Sequence, residues 1–140
     1  LFDKKNKTIA AIHAGWKGAH NGIVKKVIKF MIKKGSSTNN ITAVIGPCIS
    51  MKNYEVKQDF IKKFIKKDAK TKVFFKKIRK KSYFNLNKYI MHQLKSLNIK
   101  GIEVINKDTF DIKNNFFSAR RSLGRNENDY GRNISVIMIN

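Results

Sequence analysis

The sequence predicts a mixed α/β domain of layered type, and three observations carry that prediction. Short apolar runs of strand character alternate with stretches whose apolar residues recur at helical spacing. Gly35, Gly46-Pro47 and Gly101 punctuate the boundaries between them. The 140 residues are 41% hydrophobic, enough to build a core, and they contain no internal repeat and no long linker.

The elements follow in order. Leu1 and Phe2 read as the end of a strand, with Asp3 to Lys7 as a turn. Thr8 to His13 reads as a buried strand. Asn21 to Lys34 is a helix with Ile23, Val24, Val27, Ile28, Met31 and Ile32 on one face, stopped by Gly35. Ile41 to Ile45 is a second short buried strand ended by Gly46-Pro47. A second amphipathic helix covers Glu55 to Lys67, with Val56, Phe60, Ile61, Phe64 and Ile65 inward. Ala69 to Lys81 is basic and reads either as strand or as helical turn, and it is the segment expected to be most mobile. Asn85 or Asn87 caps a third helix, Leu86 to Leu97, with Tyr89, Ile90 and Leu94 on one side. Ile102 to Ile105, Phe116 to Ser118 and Ile134 to Ile139 are expected as strands. A polar loop, Arg121 to Arg132, joins the last two.

No apolar run approaches the ~18 residues of a transmembrane helix. The start lacks the basic and apolar regions of a secretory signal. Cys48 is the single cysteine, so no intrachain disulfide forms and a reducing cytoplasm fits. A chain that opens on Leu1, at the end of a strand, reads as a fragment or as a domain cut from a longer chain. The formal net charge is +22. Lysine pairs such as Lys25-Lys26 and Lys66-Lys67 run along the whole length, and asparagine and isoleucine are also abundant. That pattern favours compositional drift on solvated helix faces over dedicated nucleic-acid binding. Nonspecific, salt-sensitive binding to polyanions is still expected.

Four groups of residues could carry chemistry. His13 sits where an apolar run passes into Ala14-Gly15-Trp16, a strand exit leading to a helix, and active sites of α/β proteins form at such places. The alternative is a satisfied turn histidine. His20 and His92 read as surface residues. Cys48 in Gly46-Pro47-Cys48-Ile49 could be a nucleophile with His13 as base, but a small buried thiol behind a turn is favoured, since nothing nearby lowers its pKa. Arg120, Arg121, Arg125 and Arg132 crowd one segment of a lysine-dominated chain. A retained guanidinium suits bidentate recognition of phosphate or carboxylate. Salt bridges to Asp111, Glu127 or Asp129 explain it equally. From spacing alone, one cysteine and three scattered histidines make no zinc site.

Three segments together carry a resemblance: His13-Ala-Gly15-Trp16-Lys-Gly18; Ile45-Gly46-Pro47-Cys48-Ile49 with Tyr54-Glu-Val; and Asp108-Thr109 leading to Phe116-Phe-Ser-Ala-Arg120-Arg121 and Tyr130-Gly-Arg132. In order and spacing they resemble the laccase-domain, or polyphenol oxidase, family, understood as zinc-dependent purine nucleoside phosphorylases. The resemblance spans residues 1–140 and implies a single domain, an α/β/β/α layered sandwich of which this chain is roughly the C-terminal three-fifths. It implies phosphorolysis of adenosine, inosine and related nucleosides to base and ribose 1-phosphate, with adenosine deamination as a side activity. It implies zinc, held by two histidines and a cysteine. His13 matches one histidine. The family's other two ligands lie in Gln-x-His-Gly and Ala-Asp-Cys-x-Pro segments that precede it, and are expected upstream of Leu1. Cys48 is distinct from the ligand cysteine. Gly15, Trp16, Gly46, Pro47 and Cys48 are motif residues, with Trp16 either a pocket wall or core. Arg120, Arg121 and Arg132 are the expected phosphate and substrate contacts. The aromatic that usually precedes the arginine pair is Ala119 here, and the loop to Gly131-Arg132 is longer. A copper oxidase is disfavoured, because one histidine cannot build a multicopper centre. The remaining readings are an inactive or split-gene fragment needing a complementing N-terminal chain, and a basic nucleic-acid-binding domain. No membrane partner is expected.

Overall fold

A computed structural model describes residues 1–139. The class is mixed α/β, and the chain forms two compact units.

The first unit comprises residues 1–46, 88–105 and the described residues from 135 onward. Its sheet has the order β2-β1-β3-β7. β1 (Phe2–Asp3) and β2 (Thr8–Ile9) form a hairpin. The Asp3 carboxylate closes its turn, accepting from the backbone N–H groups of Lys5 (2.9 Å) and Asn6 (3.0 Å). These bonds, that from Asn6 foremost, hold its pKa below the usual carboxylate range. β1 also pairs antiparallel with β3 (Ile41–Ile45), and β3 pairs parallel with β7 (Gly101–Val104), Ala43 opposite Ile102.

Two helices follow β2: α1 (Trp16–His20) and α2 (Ile23–Lys33). Gly22, at φ +77°, separates them. Val24, Ile28 and Met31 of α2 are buried, as their three- and four-residue spacing dictates. Gly35, at φ +97°, ends the helix: its N–H reaches the Ile32 carbonyl and the Ser36 N–H reaches Met31, the paired bonds of a Schellman cap. α4 (Leu86–Ser96) buries Tyr89, Ile90 and Leu94 as expected. The Gln93 side chain donates to the Ala19 carbonyl at the end of α1 (2.9 Å).

The second unit comprises residues 47–87 and 106–134. Its antiparallel sheet has the order β4-β6-β5, from β4 (Glu55–Val56), β5 (Phe75–Ile78) and β6 (Lys81–Phe84). α3 (Gln58–Lys67) lays Ile61 and Phe64 into a core of rings. Phe64 and Phe84, both fully buried, lie with centroids 4.9 Å apart, and Phe60, Phe75 and Tyr54 pack around them. The ambiguous stretch after α3 is both things in turn: a 3-10 turn over Ala69–Phe74, capped by the Asp68 carboxylate, and then β5.

The structure corrects the sequence reading in six places. The strand expected over Thr8 to His13 is regular only at Thr8–Ile9, and His13 is exposed rather than buried. Ile32 is 44% exposed, because α2 packs on a narrower face than its apolar stripe. Glu55–Val56 pairs with β6 instead of opening α3. Phe116 to Ser118 is not a strand: the Asn133 amide supplies both hydrogen bonds a neighbouring strand would have made, accepting from the Phe117 N–H (2.9 Å) and donating to its carbonyl (2.8 Å). The loop expected from Arg121 begins instead as a short helix, α5 (Ala119–Gly124), with the Ser118 hydroxyl as its N-cap (3.3 Å). Residues 134–139 likewise form no strand, and Ile134, Val136 and Met138 stand 74–89% exposed.

Candidate active-site residues

In the first unit, His13 precedes α1 by three residues, on the irregular stretch after β2. Gly15 sets how closely the backbone approaches it. A Cβ at Gly15 would come within 3.2 Å of the His13 Nε2, so the small residue leaves room for the imidazole. At Gly18 a Cβ would make only an ordinary contact with the His13 carbonyl, at 3.5 Å. The segment therefore presents an exposed imidazole on a short helical lead. Trp16 opens α1 half-buried, with the Lys17 ammonium 5.7 Å from its ring centroid. His20 closes the same helix with its Nδ1 3.3 Å from the Asn21 side-chain oxygen, and His92 lies exposed on α4. Among the described residues no three His, Cys, Asp or Glu side chains gather as a metal site. A zinc site takes about three protein ligands. The described residues therefore do not by themselves fit the ion, His13 being the single candidate donor that the sequence offers.

In the second unit, two loops are clasped by one carboxylate. Cys48 and Asp108 form an isolated parallel bridge. The Asp108 carboxylate accepts from the Ser50 N–H (3.1 Å) and hydroxyl, the Asn53 amide (2.7 Å) and the Phe110 N–H (2.9 Å). Burial works to raise its pKa, but these bonds outweigh it and hold the group below the usual carboxylate range. Beside it the Cys48 thiol donates to the Asn87 side-chain oxygen (3.0 Å). Burial, and after it the Asp108 charge, push the thiol up to about 11. A group so placed is a neutral packing element at pH 7, not a thiolate nucleophile.

The arginines divide by what they hold. The Arg121 guanidinium donates to three backbone carbonyls: Thr109 (3.1 Å), Phe110 (2.9 Å) and Phe116 (2.6 Å). Arg120 donates to the Glu55 carbonyl (2.9 Å) and lies 5.3 Å from the centroid of the Tyr54 ring. Tyr54 is itself buried, which drives its hydroxyl up to about 12 against the pull of the guanidinium. Arg132 folds back on its own turn, pairing with Asp129 (3.3 Å) and lying over the Tyr130 ring (4.2 Å). An open groove of about 480 Å³ is lined by Phe110, Asp111 and Ile112 together with Arg120, Arg121 and Arg125. The structure thus brings Arg120 and Arg121 to one groove and leaves Arg132 outside its lining. Sequence reasoning grouped Arg125 with the other arginines but gave it no contact of its own, and it gave Asp108 no role beyond its place in a motif. For Asp108 the signal was local: an aspartate whose side chain bonds the N–H two residues on opens a turn.

Comparison with known proteins gives a consistent picture. The family model described as multi-copper polyphenol oxidoreductase laccase matches residues 1–140. A purine nucleoside phosphorylase of Rickettsia conorii is 38% identical over 136 residues, covering 96% of this chain and 55% of that protein. A purine nucleoside phosphorylase of Haemophilus influenzae is 36% identical, covering 92% of this chain and 51% of its own. Among solved structures, the Bacillus licheniformis hypothetical protein YfiH is similar with a TM-score of 0.77 at 31% identity, over 88% of this chain and 48% of that one. The Neisseria meningitidis protein NMB0706 gives 0.75 at 27% identity, over 86% and 49%. The chain spans about half the length of the curated relatives it matches.

Proposed function

The chain belongs to the multi-copper polyphenol oxidoreductase laccase family, and on that premise we propose that it is the C-terminal part of a cytoplasmic purine nucleoside phosphorylase. The observation that carries the proposal is the similarity, at 34–38% identity over nearly the whole chain, to proteins bearing that name. The reaction takes adenosine, inosine or a related nucleoside. A phosphate oxygen bonds to the ribose C1′ as the bond from C1′ to the purine nitrogen breaks, and the purine leaves with a proton. Zinc dependence and adenosine deamination belong to the same proposal.

This chain's own residues have separable parts in it. Arg120 and Arg125 have donors to offer a phosphate in the groove, where a fixed guanidinium counters the charge of the attacking oxygens. Arg121 acts on the groove through the backbone it holds. Arg132 shapes the loop after α5. His13 is one zinc ligand, the others coming from parts of a longer protein not represented in these 140 residues. Since one donor does not define the metal's geometry, no catalytic step is assigned to it.

The test is a chimera in which residues 1–140 replace the matching half of the Rickettsia conorii relative. Phosphate-dependent release of purine base from inosine, with one zinc per chain, is the expected result. A chimera that folds yet releases no base with any purine nucleoside overturns the proposal. His13→Ala in the same chimera should abolish zinc retention, and full zinc stoichiometry in that variant ends the assignment of His13.

One observation favours a second reading, that the chain works only beside a complementing chain. Ile134, Val136 and Met138 lie on irregular backbone with their side chains 74–89% exposed, apolar surface of the kind a partner chain would cover. Activity that appears only on co-expression with the other half of a relative would select this reading.

A further inference from the structure

The surplus positive charge is not spread evenly. Twelve of the 31 lysines and arginines lie between Lys57 and Lys81, with only Asp59 and Asp68 among them. All twelve are exposed, and all belong to the second unit, on α3, the 3-10 turn after it, and the β5–β6 hairpin. No other stretch of that length gathers as many: Lys25–Lys34 is as dense but holds five. Asp68 has its carboxylate on the Lys70 N–H as a cap. Lys81 pairs with Glu55 (2.8 Å), a bridge whose two side chains are about half exposed.

We propose that this basic surface of the second unit binds the phosphate backbone of a nucleic acid, without reading its sequence. The chemistry of the surface decides the partner. Eleven of the twelve cations are lysines, which act as point charges toward phosphate rather than as the planar forks that read base edges. The aromatic rings of the segment are turned inward: Phe64 and Phe74 are buried, and Phe60 and Phe75 pack in the ring cluster. None is left as a platform for bases. The same packing disfavours a lipid surface. A membrane-lying helix needs its apolar face free, and α3 has committed Ile61 and Phe64 to the core. Val73 (77% exposed) and Ile78 (43%) are the segment's two exposed large aliphatic residues, and Ile65 is half-buried. The ten residues of α3 span about 15 Å and the four of β5 about 13 Å. Either is long enough to lie along about four phosphates of one strand.

The full chain and a 20-nucleotide single-stranded RNA of mixed sequence provide the test, with affinity followed from low to physiological salt. About six phosphate contacts give a log–log slope of about −4. A variant with Lys62, Lys66, Lys70, Lys76 and Lys77 changed to glutamine should bind about tenfold or more weaker at 100 mM salt, with its slope reduced to about −1. A control variant with the same change at Lys25, Lys26, Lys29, Lys33 and Lys34 of the first unit carries the same net charge and should lose less than about threefold. Circular dichroism and melting temperature establish that both variants fold. Equal losses in the two variants would overturn the proposal, since charge alone would then suffice. So would tighter binding to vesicles containing phosphatidylserine than to the RNA, or no binding to the RNA at physiological salt.

Discussion

Arg121 separates two uses of an arginine, and Arg121→Ala distinguishes them. In the structure its guanidinium holds the carbonyls of Thr109, Phe110 and Phe116 together. Hydrogen bonds from a charged donor are worth about 1.5–3 kcal/mol each. All three at full value would be too much here, because the side chain is only half-buried and water can reach the released carbonyls. Discounted for that, the expected loss is about 2–4 kcal/mol, a shift of about 1–2 M in the urea midpoint at a slope of about 2 kcal/mol/M. Arg121→Lys should recover less than half, since one ammonium cannot satisfy three carbonyls fixed for a planar fork. Hydrogen exchange should rise first in the 106–118 segment. If Arg121→Ala leaves the midpoint within about 0.5 kcal/mol of the parent, the anchoring role is wrong and Arg121 is available to a ligand.

Three further outcomes follow from the same geometry. Cys48, held at about 11, should react with an aromatic disulfide reagent at pH 8 about a hundredfold slower than free cysteine, and should reach the free rate on unfolding. Asp108 has a folded-state pKa below its unfolded value, so its contribution is full above about pH 4 and disappears as pH falls through the depressed value. The urea midpoint should therefore be level from pH 7 to 5 and drop below pH 4, and Asp108→Asn should lower the plateau and flatten the drop. Gly35→Ala should cost about 1 kcal/mol in a thermal melt, because alanine is strained at φ +97°; a neutral change would mean the cap relaxes.

What was legible in the sequence was whatever depends on local pattern. β3 emerged with its bounds as expected because five β-branched and small residues run between turn signals. α2 and α4 emerged because their apolar residues repeat at helical spacing. The failures are places where a distant side chain replaced a backbone partner. No pattern in Phe116-Phe117-Ser118 announces that Asn133 will complete its hydrogen bonds. The arginines show the same limit. Their scarcity marked them as used, but composition could not say that Arg121 would hold carbonyls while Arg120 lay on Tyr54. His13 was expected at a strand exit, but regular pairing stops at Ile9 and His13 lies four residues beyond it on irregular backbone, because the apolar run that follows finds no partner strand.

The parallel pairing of β3 with β7 sets a timetable for the chain as it leaves the ribosome. Thr42 sits opposite Gly101, so β3 must wait for every residue from 46 to 100 to be made. At synthesis rates of about 5–20 residues per second that delay is roughly three to ten seconds. The loop bridging the two strands is not idle during it. The β4, β5 and β6 strands and α3 lie wholly within residues 55–84 and make their contacts over short sequence distances, the kind that form fast. They should be in place before the first sheet can close, and the edge of β3 stays open to wrong partners until β7 arrives.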